Sequence, residues 1–434
     1  MSRLLAALAL LAAAGLADAA PAPAVVRHVL PNGLTVVVRE DASVGVVAAS
    51  LQVRAGSLFE TAETAGITNF LHRVMLRGTK RYDGRQLSEA IEDLGGSLDA
   101  SGDVEYAEVR GTTLARNWAA LLGLVAEVAL HPTLPAEEVT RERRLIQSAI
   151  QSRGDTPFQR AFDSVLHDLY GLHPYAWPSL GRRESVGRID RAELLAHHGA
   201  IYRPDRMVLA VSGQVPADRV VKAADRLFGG MRAAAGAATA GATGPTPRLD
   251  RRVVERPVQQ AQILVAYLGP SLTAPDYPAV RVLGTILGGG MSGRLFTELR
   301  DRRGLAYSVG TLGTFRTGPS FLVTYLGTAP PNAEAAEAGV LAEIDRVRDE
   351  QVSERELARA KAYLLGNLAM DRRTTARHAW YLAFFEVIGA GWDFPERYAR
   401  AVGAVSAADV ARAAQRYLTR PTVVVLQPSK AEAR

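Results

Sequence analysis

The stretch "GITNFLHRVMLRGT", residues 66–79, places Asn69, His72 and Arg73 at positions i, i+3 and i+4 of an apolar-periodic pattern. A helix sets such positions on neighbouring parts of one face. Two imidazoles at i and i+4 can grip one metal ion, and a carboxylate at i+3 lies beside them as general base for a metal-bound water. Here an amide, an imidazole and a guanidinium stand at those places. The stretch has the outline of a metal-binding helix from which the ligands are gone. A metal held by His72 would have Arg73 beside it, and a +1 charge about 5 Å from a +2 ion costs roughly 7 kcal/mol at an effective dielectric of ~20. His72 on its own reads as an ordinary half-buried helix histidine.

The elements that would position this helix are legible on either side of it. "VVRHVLPNGLTVVVRE" carries two β-branched runs around Pro31, Asn32 and Gly33, a hairpin signal, and "VGVVAASLQVRAGS" extends the sheet. Helical periodicity follows at about 64–76, 84–94, 115–130, 135–152 and 157–170, and "YRPDRMVLAVSGQV" closes the segment as a strand. Residues 232–250, "RAAAGAATAGATGPTPRLD", lose all periodicity and read as a linker. Beyond them the order repeats: a strand at "QQAQILVAYLG", a helix from about 275, glycines 288–290, strands, helices at 332–349 and 353–369, and a closing strand in "YLTRPTVVVLQPS". Glycines 288–290 suit a flexible or positive-φ turn. The expectation is an α+β chain of two homologous, sandwich-like halves, 25–231 and 251–428, facing each other across a cavity.

With 434 residues, 48% hydrophobic and 22% charged, the chain can bury a large core, which excludes disordered and fibrous classes. Arg3, a dozen apolar residues and "ADA" at 17–19 have the layout of a cleaved secretory signal, 1–19, too short for a spanning helix. The alternative is a retained anchor. No later segment reads as membrane-spanning. The absence of cysteine removes thiolate zinc sites, disulfides and cysteine nucleophiles, and in an exported chain it suits a bacterial periplasm. The formal charge of +6 is dispersed among acids, which argues against nucleic-acid binding.

The words "LPNGLTVVV", "RAGS", "GITNFLHRVMLRGT", "LGGSLDAS" and "YRPDRMVLAVSG", in this order, resemble the pitrilysin/insulysin family of zinc peptidases in its two-domain bacterial form, over residues 25–428. Active members carry His-x-x-Glu-His, the inverted zincin motif. The resemblance lays the first His on Asn69, the Glu on His72 and the second His on Arg73. The family's further glutamate ligand falls on Ala149, and a supporting acid seven residues earlier is retained as Glu142. The chain is therefore expected to hold no cofactor itself, with Arg73 paired to Glu142.

The resemblance also implies a role for Arg300 and Tyr307 in "LRDRRGLAYSV", matching a family pair that reaches the substrate near zinc. A tyrosine hydroxyl can donate to a developing oxyanion, and an arginine can bind a substrate carbonyl or carboxylate. The plain alternative is a helix-end arginine in a surface ion pair and a half-packed strand tyrosine. Some bacterial members work as heterodimers in which one subunit bears the zinc and the other only the Arg/Tyr pair. The expected partner is thus a homologous zinc-bearing subunit acting on peptides. The competing readings are a peptide-binding or assembly protein with no proteolytic role, and an autonomous peptidase with unusual ligands.

Overall fold

The computed structural model describes residues 23–232, 244–248 and 250–429. The expected signal and most of the expected linker lie outside the described residues. Short 3-10 turns aside, the first half runs β1 (Val25–Val29), β2 (Thr35–Glu40), β3 (Val46–Val53), α1 (Ile67–Met75), α2 (Gly84–Asp93), β4 (Ser97–Gly102), β5 (Ala107–Leu114), α3 (Trp118–Leu130), α4 (Ala136–Asp155), α5 (Pro157–Tyr170), α6 (Arg183–Arg188), α7 (Arg191–Ile201), β6 (Met207–Gly213) and α8 (Ala217–Phe228). The second runs β7 (Arg251–Glu255), β8 (Ala261–Gly269), α9 (Tyr277–Gly288), a π-helical turn (Phe296–Arg302), β9 (Ser308–Gly313), β10 (Ser320–Thr328), α10 (Ala333–Asp349), α11 (Glu354–Asp371), α12 (Thr375–Val387), α13 (Phe394–Ala404), α14 (Ala407–Tyr417) and β11 (Thr422–Gln427).

The hairpin forms where the turn residues stand. Asn32 Oδ1 accepts from the Leu34 amide at 3.2 Å, Gly33 takes φ 96°, and Val29 pairs with Thr35. The two sheets have the orders β1-β2-β6-β3-β5-β4 and β7-β11-β8-β10-β9. Without β1 the two orders match strand for strand. The closing strand runs parallel to the first strand of its half (β6 with β2, β11 with β7), and the other pairings are antiparallel. The same strand order with the same directions, in two successive segments, is the duplication expected from the closing strands.

Strands buried on both faces read as continuous apolar runs, and β6 and β8 are such strands. Each half covers one face of its own sheet and lends a helix to the other. On β6, Leu209 and Val211 join the core under α3 and α8, while Val208 and Ala210 join a core with Tyr381 and Phe384 of α12. On β8, Leu264 and Ala266 pack with Ala161, Val165 and Leu169 of α5. The exchange of α5 and α12 therefore ties the halves through apolar packing worth about 1.5–3 kcal/mol per fully buried Val, Leu or Phe.

Two polar clamps fix the seam. Buried Glu105 accepts from the Thr317 amide at 2.9 Å, from Thr317 Oγ1 at 2.8 Å and from the Tyr175 hydroxyl. Asp168, fully buried at the end of α5, receives the Arg252 fork at 2.6 and 2.7 Å. Between the halves lies a 690 Å³ cavity, lined by Ile150 and Gly154 on one side and by Arg256 and Leu426 on the other.

Candidate functional site

Helix α1 begins where a buried acid and a left-handed glycine allow it. The Glu60 carboxylate accepts from the Gly66 and Thr68 amides at 2.7 and 3.0 Å, satisfying donors that a helix start leaves open. Gly66 has φ 93°, and a Cβ there would stand 2.7 Å from Gly181 Cα. Ile67, Phe70, Leu71, Val74 and Met75 supply the buried face.

The three positions with metal-ligand spacing do not share one environment. Asn69 and Arg73 lie on the partly exposed side, whereas His72 is turned into the core and is completely buried. This corrects the half-buried expectation. His72 Nδ1 lies 2.7 Å from the Thr68 carbonyl, which can only accept, so Nδ1 carries the proton. Nε2 therefore offers its lone pair to the Tyr202 hydroxyl, 2.8 Å away, and the two rings stack with centroids 5.8 Å apart. No nitrogen of His72 is left for a ligand.

Helix α4 crosses α1 at this point and brings Glu142 to it. Arg73 Nε donates to Glu142 Oε2 at 3.0 Å, the ion pair expected from the sequence. Arg77, which the sequence reading did not single out, donates from Nε to Oε1 at 2.9 Å. It stands four residues beyond Arg73, and that spacing was the available signal. The carboxylate itself is wholly buried. Ala149 offers only a methyl group two turns further along α4, and Asn69 Oδ1 is buried with no hydrogen-bond partner among the described residues.

Arg300 and Tyr307 are in the other half, apart from this cluster in every recorded hydrogen bond and ion pair. Arg300 is exposed in the π-helical turn, with no ion pair among the described residues, its Cζ 4.9 Å from the Phe296 ring centre. Tyr307, just before edge strand β9, is 60% exposed, and its hydroxyl has no partner among the described residues. Both side chains therefore present hydrogen-bonding groups outward. Of glycines 288–290, only Gly290 takes a positive φ, 84°.

Residues 35–182 match the family described as Insulinase (Peptidase family M16), and residues 188–364 match its Peptidase M16 inactive domain. An uncharacterized zinc protease of Mycobacterium tuberculosis is 31% identical over 359 residues, 82% of each chain. The chain belongs to the M16 peptidase family. Another relative, the uncharacterized zinc protease YmxG of Bacillus subtilis, is 27% identical over 80% of this chain and 85% of its own. The M16 inactive-domain structure from Pseudomonas fluorescens shares the fold at TM-score 0.86 and 24% identity, over 93% of this chain and 98% of that one. A protease structure from Helicobacter pylori does so at 0.85 and 22%, over 94% and 100%.

The zinc that M16 relatives are named for does not fit the residues present here. His72 has both nitrogens engaged, Glu142 is saturated by two guanidiniums, and a methyl group and an amide complete the set. Purified chain is expected to carry no stoichiometric zinc and to cleave no peptide alone. Elemental analysis finding one tightly held zinc per chain, lost on mutating His72, would overturn this.

The buried imidazoles also set an acid limit. Burial pushes His72 down to about 3, and burial, followed by Arg206 and His198, pushes His197 to about 4. In the unfolded chain both titrate near 6.5, so the unfolded state takes up the protons first and folding loses stability as pH falls below 6.5. Stability should be level above pH 7.5 and fall by about 1.4 kcal/mol per pH unit for each histidine below 6.5. Denaturant unfolding at pH 7.5 and 5.5 measures it. Equal midpoints would reject it.

Proposed function

We propose that this M16 chain is the non-catalytic subunit of a zinc peptidase, lending Arg300 and Tyr307 to the active site of a homologous zinc-bearing partner. The observation that carries the reading is a contrast within one molecule. At the degenerate metal position His72, Arg73 and Glu142 are satisfied internally, while Arg300 and the Tyr307 hydroxyl have no side-chain polar partner among the described residues and face outward. Groups kept free of internal partners suit a surface completed by something else. In the partner's site Tyr307 would donate to the oxyanion formed at the scissile carbonyl, and Arg300 would hold a substrate carbonyl or carboxylate. The zinc belongs to the partner. The signal-like N-terminus and the lack of cysteine support a periplasmic setting.

The test is reconstitution with the same organism's M16 protein that bears His-x-x-Glu-His. Each protein is assayed alone and mixed, on an unstructured peptide library. Cleavage by the mixture well above either component supports the proposal. A mixture no faster than the zinc protein alone defeats it, and peptide binding without cleavage would favour the peptide-binding or assembly reading.

A further inference from the structure

Arg281, on α9, is an enclosed cation without an anion. No carboxylate lies within ion-pair distance of it among the described residues, and its Nε is buried with no hydrogen-bond partner. Its recorded electrostatic neighbours are all neutral: the Tyr277 and Tyr398 phenols, and the Phe315 ring, 5.5 Å from Cζ. Enclosed charges are costly unless paired, so a guanidinium met by neutral groups alone suits an anionic ligand.

The same arginine lines a cavity of 440 Å³. That is within the roughly 300–1,000 Å³ of small-ligand sites, which are mostly apolar with a few fixed polar groups. Phe296, Phe321, Tyr325 and Tyr363 form its aromatic walls. Gly313 makes room for the guanidinium: a Cβ there would stand 2.6 Å from Arg281 Nη1.

The duplication sharpens the point. The cavity lies between α9, α11 and β9, the counterparts of α1, α4 and β4, which frame the degenerate metal position. In the first half, α4 brings Glu142 to meet Arg73. In the second, α11 brings Tyr363, Leu364 and Asn367, and no acid. By contrast, Arg183 and Arg256 of the seam cavity also lack ion pairs among the described residues, but they are exposed and water solvates them.

We propose that this cavity binds a carboxylate carrying an aromatic or branched apolar group, the carboxylate forked onto Arg281 and the apolar body against Phe296, Tyr325 and Tyr363. A free carboxylic acid and the C-terminal residue of a peptide share this chemistry. The site belongs to this chain alone and stands or falls without the zinc-bearing partner.

Calorimetry on the whole mature chain tests it, with N-acetyl-phenylalanine, its uncharged amide, and the peptide Ala-Ala-Ala-Ala-Phe as free acid and as amide. At least one acid should bind with Kd below roughly 1 mM, and its amide about 10–100-fold more weakly, as expected for losing a charge-assisted hydrogen bond. Arg281→Met should cause a similar loss. Asn367→Trp, at an exposed position on the cavity's edge, should block binding while leaving Arg281 in place. Binding of the peptide acid identifies a chain terminus as the source. Binding of N-acetyl-phenylalanine alone identifies a free acid, and either supports the site. No binding by any acid, equal binding of acid and amide, or wild-type affinity in Asn367→Trp overturns it. Should Arg281→Met not fold, the amide comparison and Asn367→Trp decide.

Discussion

Tyr307→Phe should lower turnover by the mixed complex about 10²–10³-fold, the usual cost of losing one oxyanion donor. The substitution is clean because the hydroxyl has no partner among the described residues and the side chain is 60% exposed, so nothing buried is orphaned and folding should be unchanged. Association with the zinc subunit should also persist, since only one oxygen is removed. The loss should appear in kcat. Arg300→Ala should instead raise KM, because a guanidinium that grips the peptide contributes binding before it contributes to the transition state. Both variants are assayed with the zinc subunit in excess, so that weaker association cannot imitate weaker chemistry. Wild-type rates from both complexes would show that the pair is structural, and would favour an assembly role.

How much of this was readable in the sequence depends on whether a property is local. The degenerate metal position was readable because the resemblance lays the family's His-x-x-Glu-His on Asn69, His72 and Arg73, and a local motif can be compared residue by residue. The hairpin at Pro31–Gly33 and helices α1 to α5 were likewise announced by turn residues and periodicity. Strands β4 and β5 were not, because "LGGSLDASGDVEYAEVRGTTL" is rich in glycine and acids, and the sheet overrides that weak propensity. Helices α12 to α14 were also missed. The apolar residues of α12 face a sheet from the other half, so its role appears only once the halves are packed. His72 looked half-buried since its partner Tyr202 lies 130 positions away. Arg281 gave no sign at all, for lacking a counter-ion is a property of surroundings and not of a motif.

Arg73→Ala combined with Arg77→Ala should destabilise the chain by about 3–5 kcal/mol, the range for stripping a buried charge of its partners. Glu142 is wholly buried, with one oxygen receiving Arg73 and the other Arg77. Either arginine alone can still compensate the carboxylate, and both are partly solvated, with side chains 33% and 45% exposed. Each single variant should therefore cost only about 1–1.5 kcal/mol, and the double should exceed their sum. Adding Glu142→Met to the double variant should restore most of the loss, because a well-packed apolar side chain of similar volume has no charge to compensate. Urea unfolding of the wild type and the four variants measures this. Losses that simply add, or a Met variant no better than the double, would show that the arginines act through packing alone. The expected pattern would mean that Glu142, the acid the resemblance places beside the metal position, requires the arginines, so that introducing zinc ligands at positions 69, 73 and 149 must first release Glu142 from Arg77.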